Sequence, residues 1–429
     1  MHVAAGVLVD LFLMFLAAKL AGELFERLRQ PAVIGELLAG MLLGPYALGL
    51  IGVPTAGMIE AFHGGEAAGE GLEAIYEVLA ELGVIILLFV VGLETRLSDI
   101  LRVGARAGVV AVAGIVVPFA LGFAYIQTMG HPTIEAMFVA TAMVATSVGI
   151  TARVLADLGH LQSREARIIL GAAVIDDILA MVILATVSAV GQSGGVSLVA
   201  IAVIAAQAIG FTIFVALAGR HAIRRWSIHL ESLRIRNAPF VVAVLLMLGL
   251  AALASQIGLA AIIGAFLAGM VFAELREQYA LEHQALPIYE FFVPLFFVIT
   301  GSHVDWRLFL DGSLLGVALM VTALAIIGKV VGCGVGGWGL GWRPMAIIGV
   351  GMAPRGEVGL IVANIGQSLG VIPDAMFSTV VIMSVLTTLV VPPVLTVLYG
   401  GRSPAAEAEG DKIDTPGEFA VADGRLPDL

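Results

Sequence analysis

Residues Ala173–Met181 read AVIDDILAM, and the apolar run that holds them extends from Ile168 to Val190. Two adjacent carboxylates, Asp176 and Asp177, thus sit in a segment long enough to cross a hydrocarbon core as a helix. A charge at mid-membrane costs about 2.5–3.5 kcal/mol even on the milder insertion scales, so such groups pair with one another or line a wet pathway. The rest of the chain shows that this setting is the relevant one. It is 60% hydrophobic and 13% charged over 429 residues, with a mean hydropathy of +1.04. A soluble domain is far less apolar. The chain reads as an all-α polytopic membrane protein.

Composition also excludes several functions. One cysteine, Cys333, leaves no disulfide framework or multi-cysteine metal site within the chain. A net charge of -11 and a pI near 5.2 argue against nucleic acid as a partner and leave membrane lipid as the surroundings. No motif points to covalent catalysis, a resident metal, a nucleotide site or any other cofactor, so an enzyme is not expected.

Apolar runs predict about thirteen spans, near 4–22, 31–50, 74–93, 107–128, 133–154, 165–190, 197–218, 238–256, 258–274, 287–302, 311–335, 343–369 and 373–399. The first lacks basic residues ahead of it and a clear cleavage site, so it reads as a retained span rather than a signal peptide. The tail 401–429 is polar and rich in Pro and Gly and reads as disordered. Arginines test the count, because cytoplasmic loops carry the excess of basic residues. Alternate loops hold Arg27 and Arg29; Arg96, Arg102 and Arg106; Arg164 and Arg167; Arg220, Arg224, Arg225, Arg234 and Arg236; Arg276; and Arg343. The intervening loops hold almost none, Arg307 being the exception. This alternation places the N-terminus outside and the C-terminus in the cytoplasm.

A repeat runs through the spans. AVIGELLAGM at Ala32–Met41 returns as AIIGAFLAGM at Ala261–Met270, and the next span in each case holds a related phrase, LLFVVGLE from Leu87 and LFFVITGS from Leu295. Spans an odd number of helices apart run in opposite directions. The pattern predicts two inverted six-helix repeats, spans 1–6 and 8–13, joined by a linker helix, as in many secondary transporters. Small-residue phrases also serve as general helix-packing motifs; their matched order is what favours a repeat.

Few ionisable residues lie near span centres: Asp176 and Asp177 in span 6, Lys329 in span 11, Arg355 and Glu357 in span 12. Consecutive residues are about 100° apart around a helix, so the two aspartates face different targets. One can meet a cation on a neighbouring helix while the other faces a cavity. Lys329 is the natural partner for one of them. Span 5 holds ATSVGITA, with Thr146, Ser147 and Thr151, and span 12 holds GMAPRGEVGL, with Pro354 among glycines. Proline and glycine at mid-membrane weaken the backbone ladder, which is tolerated where protein or a wet cavity compensates. Both spans are therefore candidates for broken helices that cross near the aspartates. Arg355 and Glu357 read as structural ion pairs that keep an interrupted helix neutral, with Glu81 as an outside partner.

Taken in order, QPAVIGELLAGMLLGPYALGL, ELGVIILLFVVGLET, ATSVGITARVLADLG, AAVIDDILA, GLAAIIGAFLAGM and APRGEVGL resemble the monovalent cation:proton antiporter-2 family, and within it the bacterial double-aspartate sodium/proton antiporters. The likeness covers nearly all of the membrane region. It implies a homodimer in the bacterial inner membrane, with crossed broken helices in a core that moves against a dimerisation domain. The implied division is 1–106 (dimerisation helices 1–3), 107–190 (core helices 4–6), 191–236 (linker helix 7 and a cytoplasmic loop), 237–310 (dimerisation helices 8–10), 311–400 (core helices 11–13) and 401–429 (tail). Asp177 would be the shared cation and proton carboxylate, Asp176 the partner of Lys329, and Thr146 and Ser147 part of the crossing. The potassium-efflux branch usually has a different residue before a single aspartate, and carries a nucleotide-binding domain with no counterpart in these residues.

These readings combine into a mechanism. Burial disfavours the ionised form of carboxylates and lysines alike, which brings such groups into proton exchange. A sodium or lithium ion reaching Asp177 and drawing on Asp176 would release one proton from Asp177 and one from Lys329. Potassium/proton exchange is the runner-up. A channel would need a continuous polar pore lining, and a symporter for an organic anion would favour unpaired basic groups.

Overall fold

The computed structural model describes residues 2–193 apart from Arg29, His63 and Arg96, then positions 203, 206, 207, 210–215 and 219, and residues 235–400 apart from Glu277 and Asp311. Most of the expected seventh span, nearly all of the loop after it and the tail 401–429 lie outside the described residues. Among those described there are helices and no strands: α1 (His2–Arg27), α2 (Ala32–Leu43), α3 (Ala56–Ala61), α4 (Gly65–Glu94), α5 (Leu97–Thr128), α6 (Thr133–Val144), α7 (Val148–Asp157), α8 (Arg164–Ser193), α9 (Ala238–Gln256), α10 (Ala261–Phe272), α11 (Leu281–Ser302), α12 (Gly312–Gly334), α13 (Trp342–Gly351), α14 (Glu357–Ser368) and α15 (Asp374–Tyr399).

A helix, or a pair of half-helices, stands at each of the other twelve expected spans, with three instructive differences. α4 starts at Gly65, nine residues before the apolar run at 74, because the alanine- and glutamate-rich turn EAAGEGLEA favours helix whether or not lipid surrounds it. α5 likewise begins at Leu97 rather than near 107. In the other direction, α2 and α10 have only 12 residues each, about 18 Å of helix, which is too short to cross about 30 Å alone. Turns at 44–53 and 257–260 complete those passages.

Packing divides the helices into two groups. α1, α2, α4, α9, α10 and α11 pack on one another, as do α5, α6, α8, α12, α13, α14 and α15, while α7 touches α2 and α4 on one side and α8 and α15 on the other. The repeated phrases hold the first group together. Gly40 of α2 lies against the Val298 carbonyl of α11, and Gly301 of α11 against the Leu37 carbonyl of α2. In the second half, Gly269 of α10 lies against the Phe89 carbonyl of α4, and Gly92 of α4 against the Phe266 carbonyl of α10. Gly35 and Gly264, one step earlier in each phrase, press on the backbones of α1 and α9. Any side chain at these positions would enter a neighbouring backbone. The repeat is thus a packing code, and each copy uses it at the same register.

The helices also define two faces. α1 and α4 begin at what is here called the N-terminal face, and α1 and α7 end at the opposite one. A cavity of about 640 Å³ lies at the N-terminal face, between the two groups. Its walls include Tyr46 after α2, Glu73 and Tyr76 near the start of α4, His303 after α11, Asn364 of α14 and Ser378 of α15.

Candidate functional site

Two interrupted helices meet in the core. α6 stops at Val144 and α7 starts at Val148; α13 stops at Gly351 and α14 starts at Glu357. Each interruption frees backbone groups that lipid cannot satisfy, and the two breaks satisfy one another. The Ser147 N–H donates to the Pro354 carbonyl at 2.9 Å. Thr146 Oγ1 donates to the Met352 carbonyl at 3.2 Å and Thr151 Oγ1 to the Gly351 carbonyl at 2.6 Å. Contact is close enough that a methyl group on Gly356 would stand 2.6 Å from Ser147 Oγ. α15 holds the second break from behind: Thr387 Oγ1 accepts from the Arg355 N–H at 3.0 Å and Thr388 Oγ1 donates to the Arg355 carbonyl at 2.8 Å. The N-termini of α7 and α14 and the C-termini of α6 and α13 therefore converge, bringing partial charges of both signs to one place.

Both aspartates lie beside this crossing on the uninterrupted helix α8. Asp176 and Lys329 are 0% exposed, and Lys329 Nζ donates to Asp176 Oδ1 at 3.0 Å and Oδ2 at 3.2 Å. Gly114 of α5 leaves room for Cys333 beside the lysine, since a methyl group there would press on Cys333 Sγ and only touch Lys329. Asp177, turned to the other side of α8, lines a narrow cavity with Leu88, Val148, Leu170, Val174, Ile262, Ile263 and Phe266. About 10 Å³ of it is open to a water-sized sphere, room for one small species. The pair is thus divided by geometry, one carboxylate tied to a lysine and the other on the wall of a cavity.

Arg355, 0% exposed, sits at the end of α13, where a cation is favoured by the helix dipole and by the Met352 carbonyl, 3.4 Å from Nη1. Its Nε and Nη2 have no hydrogen-bond partner among the described residues, and it interacts electrostatically with Asp176. Glu81 does not provide the outside counter-charge expected from sequence. It is exposed on α4, whereas Arg355 is sealed in the core. The side chain of Glu357 lies outside the described ones.

Sequence reading missed a second buried ionic group. Arg153 of α7 reaches Glu36 of α2, with Nη2 3.3 Å from Oε1, and its own Asp157, with Nε 2.9 Å from Oδ1. Its guanidinium lies 5.4 Å from the Tyr289 ring centroid. Glu36 is 3% and Arg153 9% exposed. Asp10 of α1 is buried as well and accepts from the Tyr76 hydroxyl at 2.6 Å. The available signal was Glu36 itself, the one charge inside the repeated apolar phrase.

With the crossing and its carboxylates described, comparison with known proteins becomes informative. A family model described as "Sodium/hydrogen exchanger, transmembrane" matches residues 12–399. The chain belongs to the sodium/hydrogen exchanger family. Among relatives in this family, it is 38% identical to the high-affinity Na(+)/H(+) antiporter NhaS3 of Synechocystis sp., over 96% of this chain and 94% of that one. It is 34% identical to the Na(+)/H(+)-K(+) antiporter GerN of Bacillus cereus, over 92% and 97%. A structure of the sodium proton antiporter MjNhaP1 from Methanocaldococcus jannaschii at pH 8 superposes with a TM-score of 0.61 at 16% identity, covering 94% of this chain and 98% of that one. That likeness extends the family's fold to this multi-pass membrane protein.

Proposed function

We propose that the protein is a secondary active antiporter that exchanges sodium or lithium for protons at Asp177. The observation that carries this reading is the division between the two adjacent carboxylates: Asp176 is neutralised by Lys329, while Asp177 lines a cavity at the crossing of two broken helices. Family membership and the names of its relatives support the same reading. A cation at Asp177 competes with a proton there by charge alone. If it also draws Asp176 away from Lys329, the lysine loses the partner that holds its charge and releases a second proton.

Two protons would then return for each sodium ion expelled, and one net charge crosses per cycle. The membrane potential contributes about 2.3 kcal/mol per 100 mV to that charge, equivalent to about a fiftyfold sodium gradient. Access alternates as the group containing the crossing moves against the group built by the repeated glycines, with the second group supplying the contact in a homodimer. In this reading the N-terminal face is outside the bacterial inner membrane and the opposite face in the cytoplasm, an orientation that the basic loops support. Potassium/proton exchange is the second reading, favoured by the 34% identity to a relative named as an Na(+)/H(+)-K(+) antiporter.

Purified protein in liposomes with an internal pH dye tests this. Sodium or lithium gradients are expected to drive proton movement in the wild type and not in Asp177→Asn. A response to potassium alone would select the second reading, and cation currents without proton movement would overturn both.

A further inference from the structure

The Glu36–Arg153 contact has a position that none of the exchange chemistry uses. Glu36 belongs to the scaffold group that α2 and α11 build, and Arg153 to the half-helix α7 that leaves the crossing. Glu36 lies in the half of α2 nearer the opposite face, Arg153 and Asp157 in the half of α7 nearer that face, and Tyr289 in the first half of α11. The cavity of about 640 Å³ lies at the other face, between the same two groups. Among the described residues, Asp177 itself lines a narrow space walled by Leu88, Val148, Leu170, Ile262 and Phe266. The two groups thus part around a cavity at the N-terminal face, and toward the opposite face the buried ion pair ties them together across the same seam.

We infer that Glu36 and Arg153 form a latch that closes the opposite-face path to Asp177 and must part each time that path opens. This rests on the alternating-access reading above. Three features suit a latch better than a permanent strut. The pair is monodentate at 3.3 Å, and Glu36 Oε2 has no hydrogen-bond partner among the described residues, so the contact holds without being fully satisfied. Arg153 keeps Asp157 at 2.9 Å on its own helix and the Tyr289 ring at 5.4 Å, so its charge stays compensated when Glu36 departs. Glu36 in turn lies within electrostatic range of Lys19 of α1, which partly offsets the like charges of Asp157 and Glu26. Each partner thus has a second companion, which lowers the cost of breaking a buried pair.

The test places a reporter cysteine at Val174, on the wall of the narrow cavity, and measures its labelling by a hydrophilic maleimide applied from the opposite face of oriented vesicles. Cys333 is fully buried and supplies the unreactive background. Glu36→Gln, which keeps volume, and Arg153→Gln are each expected to raise the labelling rate about tenfold. An unchanged rate in both would overturn the latch, even if the melting temperature falls. As a second measurement, Glu36→Cys with Arg153→Cys is bridged by a short bis-maleimide, which should stop sodium-driven proton movement; continued movement in the bridged protein would show that the contact need not part. Labelling does not require transport, so failure of the latch is distinct from failure of the wild type to exchange sodium for protons.

Discussion

Lys329→Gln removes the charge that compensates Asp176 and keeps most of the side-chain volume. Both groups are 0% exposed and meet through two contacts of 3.0 and 3.2 Å, so the carboxylate left behind cannot reach water. Removing one partner of a buried pair costs about 3–5 kcal/mol. A second route leads to a similar figure. The stranded carboxyl can escape by taking up a proton, which costs about 4 kcal/mol at pH 7 and about 1.5 kcal/mol at pH 5 for a group titrating at about 3.9 in water. In the variant the folded protein then binds one proton more than the unfolded chain, so its stability relative to wild type falls by about 1.4 kcal/mol per unit as pH rises across that interval. Thermal unfolding in detergent, followed by tryptophan fluorescence, is expected to show a deficit that is larger at pH 7 than at pH 5. Equal deficits at both pH values would mean that lost packing, not lost charge, is what the lysine supplied. Where the variant still exchanges sodium, the proposed second proton has lost its carrier, so the response to an imposed potential should vanish.

Other predictions follow from the same contacts. Gly356→Ala sets a methyl group 2.6 Å from Ser147 Oγ and forces the two breaks apart, so sodium-driven proton movement should fall about tenfold or more while the protein still folds and purifies. Gly269→Ala drives a methyl group into the Phe89 carbonyl, and its counterpart Gly40→Ala into that of Val298; each should lower stability by about 1–3 kcal/mol in thermal unfolding, and by similar amounts if the repeat is a true one. Thr387→Val leaves the buried Arg355 N–H without its acceptor, at a cost of about 1–3 kcal/mol that Thr387→Ser should restore.

Sequence displayed the crossing better than it displayed the supports around it. The broken helices were legible because Pro354 and its flanking glycines cannot sustain a regular ladder, and because Thr146, Ser147 and Thr151 cluster hydroxyls in the later half of span 5. Asp176, Asp177 and Lys329 were legible because charge at mid-membrane is rare. Glu36 and Arg153 were not, since each lies within reach of a loop and they are 117 positions apart. Their burial comes from how α7 tucks under α2, which hydropathy does not encode. Glu81 shows the converse error. A carboxylate within a span looks available to any buried cation, but its place on the exposed surface of α4 keeps it away from Arg355. The shortness of α2 and α10 was hidden because the residues after Leu43 stay apolar while the backbone turns at Gly44.

What the two halves share and what they do not separates scaffold from chemistry. Gly35, Gly40, Gly264 and Gly269 recur in register because helices can approach closely only where side chains are absent, and that requirement is the same in both halves. The ionisable residues do not recur. Glu36 in AVIGE corresponds to Ala265 in AIIGA, so the ion pair between α2 and α7 has no counterpart through α10. In the core the carboxylates Asp176 and Asp177 belong to the first half, while the cations near them, Lys329 and Arg355, belong to the second. Attraction between opposite charges thus joins the two repeats at the crossing, and glycine contacts join them in the scaffold. A symmetric pair of sites would hold two identical ions in identical environments. Splitting the charges between the halves instead gathers both carboxylates and both cations at one crossing, inside a frame that is otherwise pseudo-symmetric.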